Sequence, residues 1–100
     1  MAERREILER WNFPHLQHYG VTLVARKDAS ACIARIFGES CRFYGYEAFT
    51  LFPDNKIQPH LDWSPSWSRG ATPSQQAIIS QIEAHPPEVT HYEFVFEDDI

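Results

Sequence analysis

Two short segments carry side chains suited to acid–base or metal chemistry. His60 and Asp62 are two residues apart, and His91 and Glu93 repeat this spacing near the end of the chain. Side chains two positions apart on a β-strand emerge on the same face, so each pair would place an imidazole beside a carboxylate. Such pairs move protons or hold metal ions. Together with Tyr44 they are the expected catalytic set if the protein is an enzyme. A solvated polar face is the simpler interpretation, and we expect no metal or cofactor.

A loop rich in serine and proline carries the second candidate site, formed by Trp63, Trp67 and Arg69. Tryptophan and arginine are enriched at binding hot spots because each combines a large contact area with a directional polar group. Two interpretations stay open. The loop contacts a partner, or Trp63 completes the core face of a strand while only Trp67 lies over the surface.

The charge distribution points to the class of partner. The net charge is −5, and residues 51–100 hold two basic and eight acidic side chains, against seven basic and six acidic in residues 1–50. An acidic domain repels phosphate backbones, so we expect no direct binding of nucleic acid but a basic or nucleic-acid-handling protein partner. The acids Glu97, Asp98 and Asp99 near the C-terminus join the tryptophan loop in the predicted partner-binding surface.

Length and motifs exclude several other classes. One hundred residues suit one domain, and no apolar stretch approaches the length of a membrane span. Glycine-rich phosphate loops and HExxH motifs are absent from the sequence. Cys32 and Cys41 lack metal-site spacing, and we see no secretory signal, so we expect reduced thiols and a cytoplasmic location.

Residue patterns predict an α+β chain. Residues 28–37 are the ambiguous segment: Ala29, Cys32, Ile33 and Ile36 form a helical stripe that favours a helix, capped by Asp28 and ended by Gly38, over a strand hairpin. The other predicted elements, in chain order, are a helix from Ala2 to Trp11, a short turn from His15 to Tyr19, a strand from Val21 to Arg26, a strand from Cys41 to Phe52 with a bulge at Gly45, a strand from Ile57 to Trp63, a helix capped by Thr72 and ending near His85, and a strand from Val89 to Glu97.

This order matches a β-α-β-β-α-β, ferredoxin-like sandwich with helices on one face of a mainly antiparallel sheet. Residues 1–19 form an N-terminal helical segment, 20–97 the sheet core and 98–100 an acidic tail of a single domain. Pro59 opposes this topology, because a central strand needs the N–H that proline lacks. An antiparallel meander with one long helix across it is the alternative.

These features favour a non-catalytic protein-binding domain of the inhibitor, immunity or adaptor type, which would block a basic partner. Small phage-encoded anti-defence proteins such as anti-CRISPR proteins are of similar size and charge, an analogy of type and not of sequence. One alternative is a small dimeric α+β barrel enzyme with its His and carboxylate site on the sheet face. Another is a structural subunit of a larger assembly. A homodimer is compatible with each, and no membrane association is expected.

Overall fold

The computed structural model describes residues 3–68 and 70–98. In that part of the chain, three helices cover one face of a five-stranded sheet. The helices are α1 (Arg4–Arg10), α2 (Arg26–Gly38) and α3 (Gln75–Ala84), and the strands are β1 (Leu16–His18), β2 (Val21–Ala25), β3 (Arg42–Leu51), β4 (Ile57–His60) and β5 (His91–Glu97). None of the described helices is both long and apolar enough to span a membrane.

The sheet has the order β1-β2-β5-β3-β4, and every neighbouring pair is antiparallel. The α+β class is therefore confirmed, but this order is not ferredoxin-like. A ferredoxin-like sheet would place β2 and β4 in the centre, whereas β5 and β3 are central here. Pro59 gives a physical reason, because a strand without one backbone donor is tolerated at the edge that β4 occupies. A simple meander is also wrong, since β5 separates β2 from β3.

Residues 26–38 form a helix, as the apolar stripe predicts. Ala29, Cys32, Ile33 and Ile36 are fully buried against the sheet. Two details of the prediction were wrong. Ala25 is the N-cap residue while Asp28 lies within the first turn. The left-handed backbone that ends the helix is at Ser40, with φ of 57°, and not at Gly38.

The predicted N-cap of α3, Thr72, also lies too early in the chain. Ser74 is the N-cap, and its hydroxyl accepts a hydrogen bond from the backbone N–H of Ala77 at 3.2 Å. The Thr72 hydroxyl instead donates to the carbonyl oxygen of Phe43 at 2.8 Å. The residue expected to start the helix therefore ties the preceding loop to β3.

Arg26 secures the other end of α3. Its guanidinium donates to the carbonyl oxygens of His85, Pro86, Ile82 and Val89 at 2.6 to 3.1 Å. The last carbonyls of a helix lack partners within the helix. The Ile82 and Pro86 oxygens here also accept the backbone N–H groups of His85 and Val89, and this one side chain adds charged hydrogen bonds to the whole set. It joins the first residue of α2 to the turn that leads into β5.

The sheet curls toward the face that the helices do not cover. β1 and β4 are opposite edges, yet the His18 ring of β1 bonds the carbonyl oxygen of Asn55 in the turn between β3 and β4. Leu23 and Phe49 are 0% and 4% exposed and lie outside the main core cluster. The prediction of a short turn over residues 15–19 was wrong, because Leu16–His18 form β1, which pairs with β2. The N-terminal segment, residues 1–19, is therefore not helical throughout.

Candidate functional site

The two His and carboxylate pairs do not form one site. His60 is paired with Ala48, which is also paired with Tyr92 of the helix-covered face. His91 is instead paired with Phe49, the neighbour of Ala48. Paired residues share a face and successive residues alternate, so His91 and Glu93 lie on the opposite face from His60. The pairs cannot act together on one substrate.

Four members of the predicted catalytic set, all except Asp62, have a local partner. His60 lies 2.6 Å from the Thr50 hydroxyl, and His91 lies 2.9 Å from the Thr90 hydroxyl. The Glu93 carboxylate accepts the backbone N–H of Thr22 at 3.1 Å and lies 3.8 Å from Arg4. The Tyr44 hydroxyl donates to Glu97 at 2.8 Å. Among the described residues, no group of three or more His, Cys, Asp or Glu side chains could hold a metal ion.

The tryptophan loop is fastened to the sheet at the bulge in β3. The register of β3 against β5 shifts between Phe43 and Gly45, and Gly45 forms an isolated antiparallel bridge with Ser66. On either side of it, the Trp67 N–H donates to the Tyr44 carbonyl oxygen at 2.7 Å, and the Tyr46 N–H donates to Pro65 at 3.2 Å. A Cβ at Gly45 would overlap the Pro65 carbonyl oxygen. The loop can lie this close only because residue 45 is glycine.

This attachment forms a pocket of about 370 Å³ between the loop and α3. We call it the aromatic pocket; beside Pro65, its wall consists of Tyr46, Asp62, Trp63, Trp67, Gln81 and His85. The Trp67 and Tyr46 rings meet at 61° with centroids 6.2 Å apart, and the Trp63 and His85 rings are 5.9 Å apart. Each tryptophan of the wall therefore packs against another aromatic ring of the wall.

Hydrogen bonds hold the polar groups behind the rings. The Tyr46 hydroxyl donates to Gln81 Oε1 at 3.0 Å, and His85 Nδ1 lies 2.8 Å from the Tyr92 hydroxyl. Burial raises the pKa of Tyr46 to about 12, with a further contribution from Tyr92. Burial, followed by the nearby Arg26 cation, lowers the pKa of His85. At neutral pH the rings of Tyr46 and His85 are therefore uncharged, and Asp62 is the acidic residue in the described lining of the pocket.

Trp63 and Trp67 share the wall, although the local prediction for Trp63 was partly wrong. The predicted strand runs to Trp63, but β4 ends at His60, and Leu61–Trp63 form a short 3₁₀ turn in which Leu61 is 85% exposed. Trp63 and Trp67 are both partly buried and pack against the core cluster. The loop thus both covers the core and lines an open pocket, so the two interpretations of it are not exclusive.

The two described acidic residues nearest the C-terminus, Glu97 and Asp98, contact side chains of the same chain. Asp98 lies 3.2 Å from Arg10, and Glu97 accepts from Tyr44 and lies 3.9 Å from Arg42. The remaining predicted contacts, Arg69 and Asp99, lie outside the described residues.

Sequence reasoning did not select Tyr46, Gln81 or His85 for the site. One signal was available, because Gln81 and His85 are four residues apart and such residues share a face of a helix. Nothing in the linear pattern indicates that β3 would bring Tyr46 between that face and the tryptophan loop.

Comparisons of the chain with models of protein families, with curated proteins and with solved structures find no match. Inferences about function therefore depend on the residues and their geometry.

Proposed function

We propose that this chain is a non-catalytic protein-binding domain of the inhibitor or adaptor type, which occupies a basic partner through the aromatic pocket. The single observation that carries the proposal is the placement of Trp63 and Trp67 around one open pocket with the Asp62 carboxylate beside them. Buried tryptophans at the centre of a contact dominate many protein interfaces.

The hydrogen bonds that hold the pocket's lining in place support binding. The tryptophan loop is attached to the sheet by the bridge between Ser66 and Gly45. In the wall of the pocket, a hydrogen bond joins Tyr46 of β3 to Gln81 of α3. A surface that is already ordered loses little conformational entropy when a partner arrives. Side chains held in this way provide affinity that the same residues on a mobile loop would not.

The charge of the chain supports a basic partner. The net charge is −5, and Asp62 is the acidic group in the described lining of the pocket. Opposite charge steers association and rejects acidic competitors. Several other acids, among them Glu97 and Asp98, are engaged with arginines of the same chain. The pocket is therefore a better candidate for the centre of the contact than the tail.

The geometry favours this function over the enzyme alternative. The His60 and His91 pairs lie on opposite faces of the sheet, and the phenols at the pocket have a pKa of about 12, too high to act as bases at neutral pH. The described lining offers aromatic ring faces, the imidazole of His85 held by the Tyr92 hydroxyl, and the acid of Asp62, a combination that suits recognition.

Affinity capture from a lysate of the source organism tests the proposal, with wild type, Trp67→Ala and Asp62→Asn as baits. Tyr19→Ala is the matched control, because Tyr19 is an exposed aromatic residue, 88% exposed, in the β1–β2 turn. We expect wild type and Tyr19→Ala to retain the same basic protein, and both pocket variants to retain at least fivefold less. Equal retention by all four baits, or retention of an acidic protein only, would contradict the proposal.

A further inference from the structure

We propose that the aromatic pocket takes the guanidinium group of an arginine side chain from the partner. This inference deepens the proposed function and rests on it for its biological setting, although the pocket chemistry can be tested separately. Three features point to this ligand: the shape of the wall, the acceptors in it and a ring contact made elsewhere in this chain.

The walls suit a flat cation. Trp63 and Trp67 present indole rings, and a guanidinium stacks on an indole face through both its positive charge and its planarity. The chain makes this contact itself at another place, where the Arg35 guanidinium lies 5.1 Å from the centre of the Trp11 ring. A volume of about 370 Å³ has room for one long side chain together with water.

The acceptors in the pocket suit a guanidinium better than an ammonium. Asp62 offers two carboxylate oxygens, which a guanidinium can engage with two parallel N–H groups. Gln81 Oε1 accepts one hydrogen bond from Tyr46, and an amide oxygen has a second lone pair to offer. A planar group with five donors can use these separated acceptors together, whereas a lysine ammonium is a compact point charge.

Competing ligands fit less well. A phosphate or nucleotide would approach Asp62 across a chain of net charge −5, and the described lining contains no lysine or arginine to receive it. A neutral apolar side chain would contact the rings but leave the Asp62 carboxylate without a partner. An arginine satisfies the rings and the acid at once.

The test is an NMR titration of the full chain with three capped tripeptides of the form Gly-X-Gly, in which X is arginine, lysine or citrulline. Citrulline has nearly the shape of arginine but no charge. The three tryptophans give three indole N–H signals, and Trp11 serves as an internal reference because its ring stacks on Phe96. Asp62→Asn and Tyr19→Ala are titrated in the same way.

We expect the arginine peptide to shift the Trp63 and Trp67 signals and not the Trp11 signal. Lysine should bind more weakly, citrulline should have no measurable effect, and Asp62→Asn should weaken arginine binding about tenfold while Tyr19→Ala leaves it unchanged. Citrulline binding as well as arginine, or shifts absent or equal at all three indoles, would overturn the inference. Capture of a basic partner alongside a negative titration would remove only this inference, and the reverse result would remove only the proposed function.

Discussion

Replacing Gly45 by alanine should detach the tryptophan loop from the sheet. The added Cβ would overlap the Pro65 carbonyl oxygen and come within 2.9 Å of the Ser66 Cα atom. Both atoms belong to the backbone, so the conflict cannot be relieved by a side-chain rotation. The loop has to move away, and the hydrogen bonds from Tyr46 to Pro65 and from Trp67 to Tyr44 would be lost with it.

The size of the effect follows from those contacts. Each hydrogen bond contributes about 1 kcal/mol net, and the packing of the Trp67 ring on Phe43 and Tyr46 adds about 1 kcal/mol for each ring pair that is weakened. We expect a loss of about 4 kcal/mol in the free energy of unfolding. For a domain of this size that corresponds to a fall of about 15–30 °C in the melting temperature.

Chemical denaturation followed by tryptophan fluorescence and far-ultraviolet circular dichroism measures this effect. Gly38→Ala is the matched control, because Gly38 is the last residue of α2 and a Cβ there would meet nothing within 4 Å. Alanine at that position should leave stability unchanged or raise it by about 0.5 kcal/mol. If Gly45→Ala is as stable as Gly38→Ala and its tryptophan emission matches the wild type, the account of the loop is refuted.

Three further predictions concern Arg26, the two histidines with lowered pKa values, and Cys32. Arg26→Met should lower the free energy of unfolding by about 2–4 kcal/mol in urea denaturation, since four carbonyl oxygens at the end of α3 and in the following turn each lose a charged hydrogen bond. A smaller loss than for Arg35→Met, whose guanidinium is exposed, would contradict this. The free energy of unfolding should fall as the pH drops below about 6.5, because His85 and His91 have lowered pKa values in the fold and the unfolded chain then binds more protons. The urea midpoints at pH 7.5 and 5.5 should therefore lie closer together in a variant that carries both His85→Gln and His91→Gln. A difference between the two midpoints as large as in the wild type would contradict this prediction. Burial and Asp28 raise the pKa of Cys32 to about 12. In a Cys41→Ser variant, which removes the other, partly buried thiol, Cys32 should therefore react with a thiol reagent at pH 8 only at the rate of unfolding. Rapid labelling of the native variant would show that the Cys32 thiol is accessible.

The sequence predicts much of the local structure because local structure has local causes. The stripe of Ala29, Cys32, Ile33 and Ile36 is enough to predict a helix for residues 28–37, and the helix of the structure, residues 26–38, follows directly after β2. Gly45 was recognised as a bulge from its place in an aromatic strand. In both cases a few neighbouring residues determine the conformation.

The strand order depended on contacts that no local pattern encodes. Pro59 correctly argued against a central third strand, but the sequence could not show that β5 lies between β2 and β3. That order places His60 and His91 on opposite faces, which separates two pairs that looked alike in the sequence. The aromatic pocket has the same origin, because Tyr46 and His85 come together only when β3 and α3 pack.

Site-specific photocrosslinking tests the central claim most directly. A benzophenone amino acid is placed at position 61 or at position 19, whose natural side chains Leu61 and Tyr19 are 85% and 88% exposed. Position 61 lies in the same short turn as Asp62 and Trp63, whereas position 19 follows the opposite edge strand. The account predicts an ultraviolet-dependent adduct with a basic protein from position 61, lost with Asp62→Asn, and none from position 19. Equal adducts from both positions, or an adduct from position 19 alone, would contradict it.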